Sequence, residues 1–372
     1  MSHFAAVAWD SESDLPHVDD ASPVRPGEVL DWASLEAYLR AQLPELDGPF
    51  HVLQFLHGSA NLTYLLRFGP TELVLRRPPF GRVAPGAHDM KREHKVLSRL
   101  WRVYDRAPRA YLLCDDHDVI GSDFVVMERR RGVVVRGELP ATMAGLPGVG
   151  RRLGLALVDA MAELHLLDAE NSGLGDLGRP AGFAARQVAG WTTRWELVRP
   201  DHGPAVMDEL PARFEALLPA PTRVSIVHND LKLDNCQFAP DDPDRVRSIF
   251  DWDMTTLGEP LVDLGTLLNY WPDPSDPPGA GRVSHEGMLA MGLPSRAEVV
   301  ERYAARTGID VSSVGWYEAF AQWKTGVVIQ QLHDRWRRGE STDPRMATVA
   351  DRLPLLAASA SALLDRLGRA SA

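Results

Sequence analysis

Cysteine is nearly absent from this chain. Cys114 and Cys236 are the whole complement of 372 residues, too few and too far apart for a disulfide framework or a cysteine-based zinc site, and compatible with a reducing cytoplasm. Positive charge is also in deficit. Lys and Arg number 40 against 51 Asp and Glu, a formal net charge of −11, which argues against a surface that tracks nucleic-acid phosphates over the whole molecule. The local basic runs, Arg129 to Arg131 and Arg335 to Arg338, read as solvated faces. No uncharged apolar stretch reaches membrane-spanning length. The acidic opening MSHFAAVAWDSESDLPHVDD has neither a basic start nor a long apolar core, so no signal peptide is expected. The 12 histidines show no metal-ligand spacing, and no repeat of solenoid length is visible. These absences leave a soluble cytoplasmic protein with neither a nucleic acid nor a membrane as partner.

What is present is ordinary globular composition, 45% hydrophobic and 24% charged, over a length that suits a two-lobed enzyme. Residues 1–30, rich in Asp, Ser and Pro, read as a poorly ordered arm. A helix is predicted after Asp31, with Leu35, Leu39 and Leu43 four apart behind an N-capping aspartate. Short Val-, Leu- and aromatic-rich segments follow at His51 to Phe55, Thr63 to Phe68 and Glu72 to Arg76, then a helix over His88 to Trp101 and a strand over Phe124 to Glu128. Beyond residue 130 the period lengthens. Leu153, Leu157, Met161 and Leu164 mark an amphipathic helix from about Gly150 to Asp168. The expectation is an α+β chain with a β-rich lobe over residues 31–128 and a larger helical lobe over residues 129–372.

The chemistry concentrates in SIVHNDLKLDNCQF, residues 225–238. A short strand stops at His228, and Asp230 lies in the loop beyond it, five residues before Asn235. A strand from Cys236 to Phe238, a turn at Asp241-Asp242-Pro243-Asp244 and a strand from Val246 to Phe250 then deliver Asp251. Such a hairpin brings Asn235 and Asp251 to the same end. An amide and a carboxylate side by side are hard oxygen donors suited to Mg²⁺, which commonly binds one or two carboxylates together with substrate phosphates. Asp230 is placed to accept a proton from a hydroxyl, completing the set that phosphoryl transfer requires.

His228-Asn229-Asp230-Leu231-Lys232-Leu233-Asp234-Asn235 resembles the catalytic loop of the aminoglycoside phosphotransferase family, and Asp251-Trp252-Asp253 through Asp263-Leu264-Gly265 resembles its metal loop. HGSANLTYLLRF, LVLRRPPFG, HDMKREHKVLSRL, DWDMTTLGEPLVDLG and QQLHDRWRRG are similar to the branch that also occurs fused to some acyl-CoA dehydrogenases. The resemblance spans about residues 30 to 345. It implies a protein-kinase-like fold, ATP with Mg²⁺, Asp230 as catalytic base, and Asn235 and Asp251 as metal ligands. Asn229 stands where the family usually has glycine, a mild departure because asparagine tolerates left-handed backbone.

For the nucleotide, Gly58, Ser59 and Asn61 are compatible with a phosphate-covering loop, although no full glycine motif is present. Arg76 stands where a kinase-like fold has its phosphate-binding lysine, and Glu93 is its expected partner. The resemblance sets adenine against the backbone near Glu128 and Arg130. Gly173 to Gly178 satisfies a dinucleotide-binding pattern literally but follows a helix, so a loop is expected there. Trp191, Asp234, Arg194, Trp195, Tyr270, Trp271 and Gln330 are candidates for the acceptor site. The resemblance favours a hydroxyacyl acceptor, with a CoA thioester as one form; an aminoglycoside acceptor and a catalytically silent nucleotide-binding regulator are the alternatives.

Overall fold

The computed structural model describes residues 20–55, 61–81, 88–276, 284–340 and 343–370. Its contacts divide the chain into two units, one made of Met1–Arg131 with Ser248–Thr255, the other of Gly132–Arg247 with Thr256–Ala372.

The first unit opens with α1 (Trp32–Gln42). Asp31 caps it, its carboxylate accepting from the Ser34 N–H at 3.0 Å, and Leu35 and Leu39 are fully buried. Strands β1 (Phe50–Gln54), β2 (Leu62–Phe68) and β3 (Thr71–Arg77) follow, then α2 (Met90–Leu100), β4 (Ala110–Cys114), the single turn α3 (His117–Ile120) and β5 (Phe124–Glu128). The strands form one antiparallel sheet in the order β1-β2-β3-β5-β4. Gly69 and Pro70 make the turn between β2 and β3, where Phe68 pairs with Thr71 and Gly69 takes a φ of +52° that a side chain would strain. Strand periodicity sorts the faces of β3. Leu73 and Leu75 join a core with Leu35, Leu39, Tyr64, Phe68 and Val126, while Arg76, one residue out of phase, bonds to Glu93 on α2. α2 is shorter than the sequence suggests at its start because Asp89 caps it, leaving His88 in the turn before it with a φ of +57°.

Ser248–Thr255 belongs to this first unit, whereas the sequence reading assigns everything after residue 128 to the helical lobe. The Ile249 N–H donates to the Arg106 carbonyl at 2.9 Å. Trp252, fully buried, meets Tyr104 edge to face at 6.3 Å, so the loop carrying Asp251 is anchored by a large aromatic side chain.

The second unit contains β6 (Val133–Val134), α4 (Val149–Leu166), α5 (Phe183–Val198), α6 (Val206–Ala216), β7 (Ser225–Val227), β8 (Cys236–Ala239), β9 (Asp242–Ile249, whose last residues reach the first unit), β10 (Thr256–Gly258), α7 (Leu261–Tyr270), α8 (Arg296–Thr307), α9 (Val314–Arg337) and α10 (Leu353–Ala370). α4 buries the predicted stripe of Leu153, Leu157, Met161 and Leu164. Two small sheets, β6-β8-β9 and β7-β10, carry the loops that matter for chemistry. The predicted turn at Asp241 to Asp244 lies earlier, at Pro240 and Asp241, and Pro243 sits within β9. An edge strand tolerates that proline because one side of it donates to no neighbour. Gly173 to Gly178 is a loop, as expected.

α7 packs closely on α9. A Cβ on Gly265 would lie 2.4 Å from the Tyr317 carbonyl carbon, so glycine is what lets the two helices approach. The far side of α9 packs Trp316, Phe320 and Trp323 around Phe214 from α6, with ring centroids 5.4 to 5.9 Å apart. α7 and α9 thereby pack as a pair, α7 presenting Asp263 and Tyr270 and α9 presenting Lys324 to the loop after β7.

Candidate active site

That loop is fixed by a carboxylate the sequence reading did not single out as a functional group. Asp263, fully buried on α7, accepts the backbone N–H groups of His228 at 2.7 Å and Asn229 at 2.6 Å, and bonds His165 Nε2 at 3.0 Å. His165 in turn pairs through Nδ1 with the Tyr303 hydroxyl at 2.7 Å. Burial alone would raise the Asp263 pKa, but its hydrogen bonds to His165 and to the loop hold it below the usual carboxylate range. Asn229 adopts a φ of +67°, the left-handed turn that glycine provides elsewhere in the family pattern, so the loop keeps its shape.

Asp230 emerges from this turn half-buried. Its Oδ2 accepts from Lys232 Nζ at 2.9 Å and from Asn235 Nδ2 at 3.1 Å, and the same Asn235 nitrogen donates to the Asp230 carbonyl at 2.8 Å. Burial works to lower the Lys232 pKa, yet Asp230, with Tyr270 and Asp234 behind it, raises it well above the ordinary lysine value, so Lys232 stays charged. Lys232 also lies over the Tyr270 ring, 5.0 Å from its centroid. On the far side Lys324, from α9, donates to the Asn229 carbonyl at 3.1 Å. Asn229, the residue that precedes Asp230, is thus held at its N–H by α7 and at its C=O by α9. Asp234 pairs with His285 Nε2 at 3.2 Å and interacts with Arg136, which has no carboxylate at bonding distance among the described residues.

In the first unit Arg76 forms a buried ion pair with Glu93, and its other terminal nitrogen donates to Asp251 Oδ1 at 2.6 Å. Burial raises the Glu93 pKa to about 7, against the pull of Arg76, and the backbone N–H of Trp252 also donates to it at 3.4 Å. The strand cation, helix glutamate and loop aspartate therefore form one network, with arginine in place of lysine. Asp251 has a φ of +73°. With Asn229 and His88 it makes up the non-glycine residues of positive φ among those described, so two of the three lie on the loops singled out for chemistry.

Gly58 and Ser59 fall outside the described residues. Asn61 donates to Asp253 Oδ2 at 3.1 Å and pairs with His88 Nδ1 at 2.8 Å, so its amide is engaged on this unit's own side chains. The Glu128 N–H is bonded to the Arg109 carbonyl, and the Arg130 carbonyl accepts from Arg129 at 2.5 Å, so those two backbone groups are already engaged within this unit. Of the acceptor-site candidates, Trp195 turns its indole onto Asp208 at 2.7 Å and Trp271 onto the Pro294 carbonyl at 2.7 Å. Both are buried packing residues, as is Gln330. Asp234, Tyr270 and Arg194 remain near the Asp230 loop. Lys324 was missed. Its signal is a lone lysine amid FAQWKTGVVI, a stretch otherwise without charge, since lysine is rarely buried without a reason.

Residues 51–307 match the family model described as the phosphotransferase enzyme family. The chain belongs to that family. This phosphotransferase is 33% identical over 334 residues to acyl-CoA dehydrogenase family member 11 of Rattus norvegicus, covering 87% of this chain and 42% of the relative. It is 29% identical to a probable acyl-CoA dehydrogenase, IBR3, of Arabidopsis thaliana, over 80% of this chain and 38% of the relative. The chain thus spans about two-fifths of the length of these relatives. Among solved structures, a Ralstonia eutropha protein crystallised as a candidate aminoglycoside phosphotransferase superposes with a TM-score of 0.73 at 27% identity, covering 91% of this chain and 99% of that one. A GDP and kanamycin complex of an aminoglycoside phosphotransferase gives 0.59 at 16% identity, over 88% and 98% of the two chains, and shows the shared kinase-like fold. The small β-rich and larger helical halves of this phosphotransferase are those of that fold. Among the described residues no helix is long and apolar enough to cross a membrane.

Proposed function

We propose that the protein transfers the γ-phosphoryl group of ATP to the hydroxyl of a hydroxyacyl compound, with Asp230 as the general base. The observation that supports this most is the placement of Asp230. Its carboxylate is steadied by Lys232 and Asn235 on a loop whose peptide is gripped from two helices. A carboxylate so placed can take the proton of an acceptor hydroxyl as the oxygen attacks phosphorus. Lys232 keeps a positive charge beside it, and Arg76 supplies a second cation, on the nucleotide side.

Magnesium fits the donor chemistry. Asn235 commits its amide nitrogen to Asp230, which leaves Oδ1 as the atom for a cation, and Asp251 adds a carboxylate. Among the described residues no three His, Cys, Asp or Glu side chains converge on one point. An ion here would rely on nucleotide phosphates for further oxygens, as Mg²⁺ does in kinases. Asn235 and Asp251 would hold it, and its charge would offset that of the β- and γ-phosphates.

The hydroxyacyl class is supported by the relatives, which are named as acyl-CoA dehydrogenases. Arginine at position 76 is no argument for a silent protein, because it makes the ion pair to a helix glutamate that an active kinase needs from its lysine. The test is transfer from radiolabelled ATP to a panel of hydroxyacyl compounds by wild type and Asp230→Asn. The variant is expected to lose about 10² to 10⁴ in turnover while binding ATP nearly as well. Equal turnover of the two proteins overturns the assignment.

A further inference from the structure

Among the described residues, three cations of the second unit, Arg194, Lys324 and Arg136, have no carboxylate at bonding distance. Two share one aromatic platform. The Arg194 guanidinium on α5 lies 4.8 Å from the Trp191 ring centroid, and Lys324 Nζ on α9 lies 5.4 Å from the same centroid. Their hydrogen-bond partners are backbone carbonyls alone, Gly190 at 3.3 Å for Arg194 and Asn229 at 3.1 Å for Lys324. An ammonium has three donors and a guanidinium five, so most of their donor capacity is unspent on protein. Arg136 is the third, beside Asp234.

Two like charges on one indole repel, and a half-buried cation with no carboxylate bonded to it keeps part of its desolvation cost. Burial depresses the Lys324 pKa; Asp230 and Asp263 oppose that, while Lys232 and Arg194 reinforce it. Arrangements that weaken the empty protein in this way are common where a ligand completes them.

We propose that Arg194 and Lys324, seated on Trp191, form an oxyanion-binding subsite for the acceptor, so that the hydroxyl presented to Asp230 belongs to an anionic molecule. This rests on the reading of Asp230 as the base and narrows its substrate class. The anion is a carboxylate or phosphate oxygen. Its source is either the carboxylate of a free hydroxy acid or the phosphates of a CoA thioester, and a cationic amino sugar is excluded by the same charges. Arg194 recognises and Lys324 both recognises and positions, since it also holds the Asn229 carbonyl.

The test measures kcat and KM for short- and medium-chain hydroxy acids, each as the free acid, the CoA thioester and the neutral N-acetylcysteamine thioester, with kanamycin as the cationic comparison. Wild type should prefer an anionic form to the neutral thioester. Arg194→Met should reduce that preference by about 10- to 100-fold, the loss expected when a charge-assisted contact is removed, mainly through KM. Arg194→Lys should restore part of it. Preference for the free acid identifies the carboxylate as the anion, and preference for the CoA form identifies the phosphates. Thermal melting shows whether Arg194→Met is folded, and the wild-type ranking stands independently of it. Equal loss on all acceptors in Arg194→Met, or turnover of neutral thioesters or kanamycin matching that of the anions, overturns the subsite and leaves the base assignment standing. Transfer to none of these acceptors overturns the base reading and the subsite with it.

Discussion

Replacing Asp263 with asparagine separates a loop that is merely polar from one that is held in shape. The carboxylate accepts at three points, from the His228 and Asn229 N–H groups at 2.7 and 2.6 Å and from His165 at 3.0 Å, with no exposure to water. An amide of the same size keeps one oxygen and turns an NH₂ toward at least one backbone N–H, so one contact becomes donor against donor. Hydrogen bonds to a charged acceptor contribute about 1.5 to 3 kcal/mol each, and a buried donor left unmatched costs about 1 to 3 kcal/mol. The loss of one such bond, with weakening of the other two, amounts to roughly 3 to 5 kcal/mol. Part of this appears as lower stability. The rest appears as release of the Asn229 peptide from its left-handed turn, which displaces Asp230, and displacements of about 1 Å in catalytic groups can cost on the order of 100-fold in rate. Asp263→Asn should therefore unfold at lower denaturant concentration and, at saturating ATP and acceptor, turn over at least tenfold more slowly even where it is fully folded. Far-ultraviolet circular dichroism in urea and phosphoryl transfer at the same temperature measure the two effects. A variant with the wild-type midpoint and turnover would refute the claim that Asp263 shapes the loop.

Two further outcomes test other parts of the structure. Asp251→Ala should weaken Mg-ATP binding as well as turnover, because it removes a proposed metal donor and the partner of Arg76; calorimetry showing unchanged Mg-ATP affinity would count against that role. Asp273, buried but hydrogen-bonded to Ser275 and to the backbone N–H of Arg296 at the start of α8, has a pKa near 2 against an ordinary 3.8. Since its folded value is depressed, the stabilisation of about 2 kcal/mol is present above pH 4 and disappears as pH falls toward 2. Asp273→Asn should be less stable than wild type by about that amount at pH 7 and nearly equal to it near pH 2; a difference independent of pH would sink the assignment.

The loop that carries Asp230 was legible as structure because its strands and turn are contiguous in sequence, so local spacing carries the geometry. The Arg76–Glu93 pair was legible only through the resemblance to a kinase-like fold, since period-two alternation places Arg76 on one face of β3 but names no partner. Asp263 and Lys324 lie 34 and 95 residues from the Asn229 they hold. Nothing local in α7 or α9 specifies that meeting; it follows from the close helix approach at Gly265. The same limit explains Trp195 and Trp271. Indoles were assigned to an acceptor site on residue type, but their N–H groups had partners within the helical unit, and burial with a satisfied donor is the commoner fate of tryptophan. The turn before β9 was misplaced because Asp-Asp-Pro-Asp is turn chemistry that an edge strand also tolerates.

Whole-chain charge is a weak guide to the acceptor. A net charge of −11 is compatible with a polycationic antibiotic substrate, since it lowers the cost of bringing positive charge to the surface. Screening makes that argument weak beyond about 10 Å in physiological salt, so what selects an acceptor is the charge within a few ångströms of the base. There the proposed subsite sets cations beside the carboxylates of Asp230 and Asp263. Lys232 is bonded to Asp230, Lys324 holds the preceding carbonyl, and Arg194 shares Trp191 with Lys324. An amino sugar entering the proposed subsite would set its ammonium groups against Arg194 and Lys324, whereas an oxyanion would relieve the repulsion between them. Under the proposed subsite, the net charge of the chain and the cations beside Asp230 act at different ranges, and only the second chooses the acceptor.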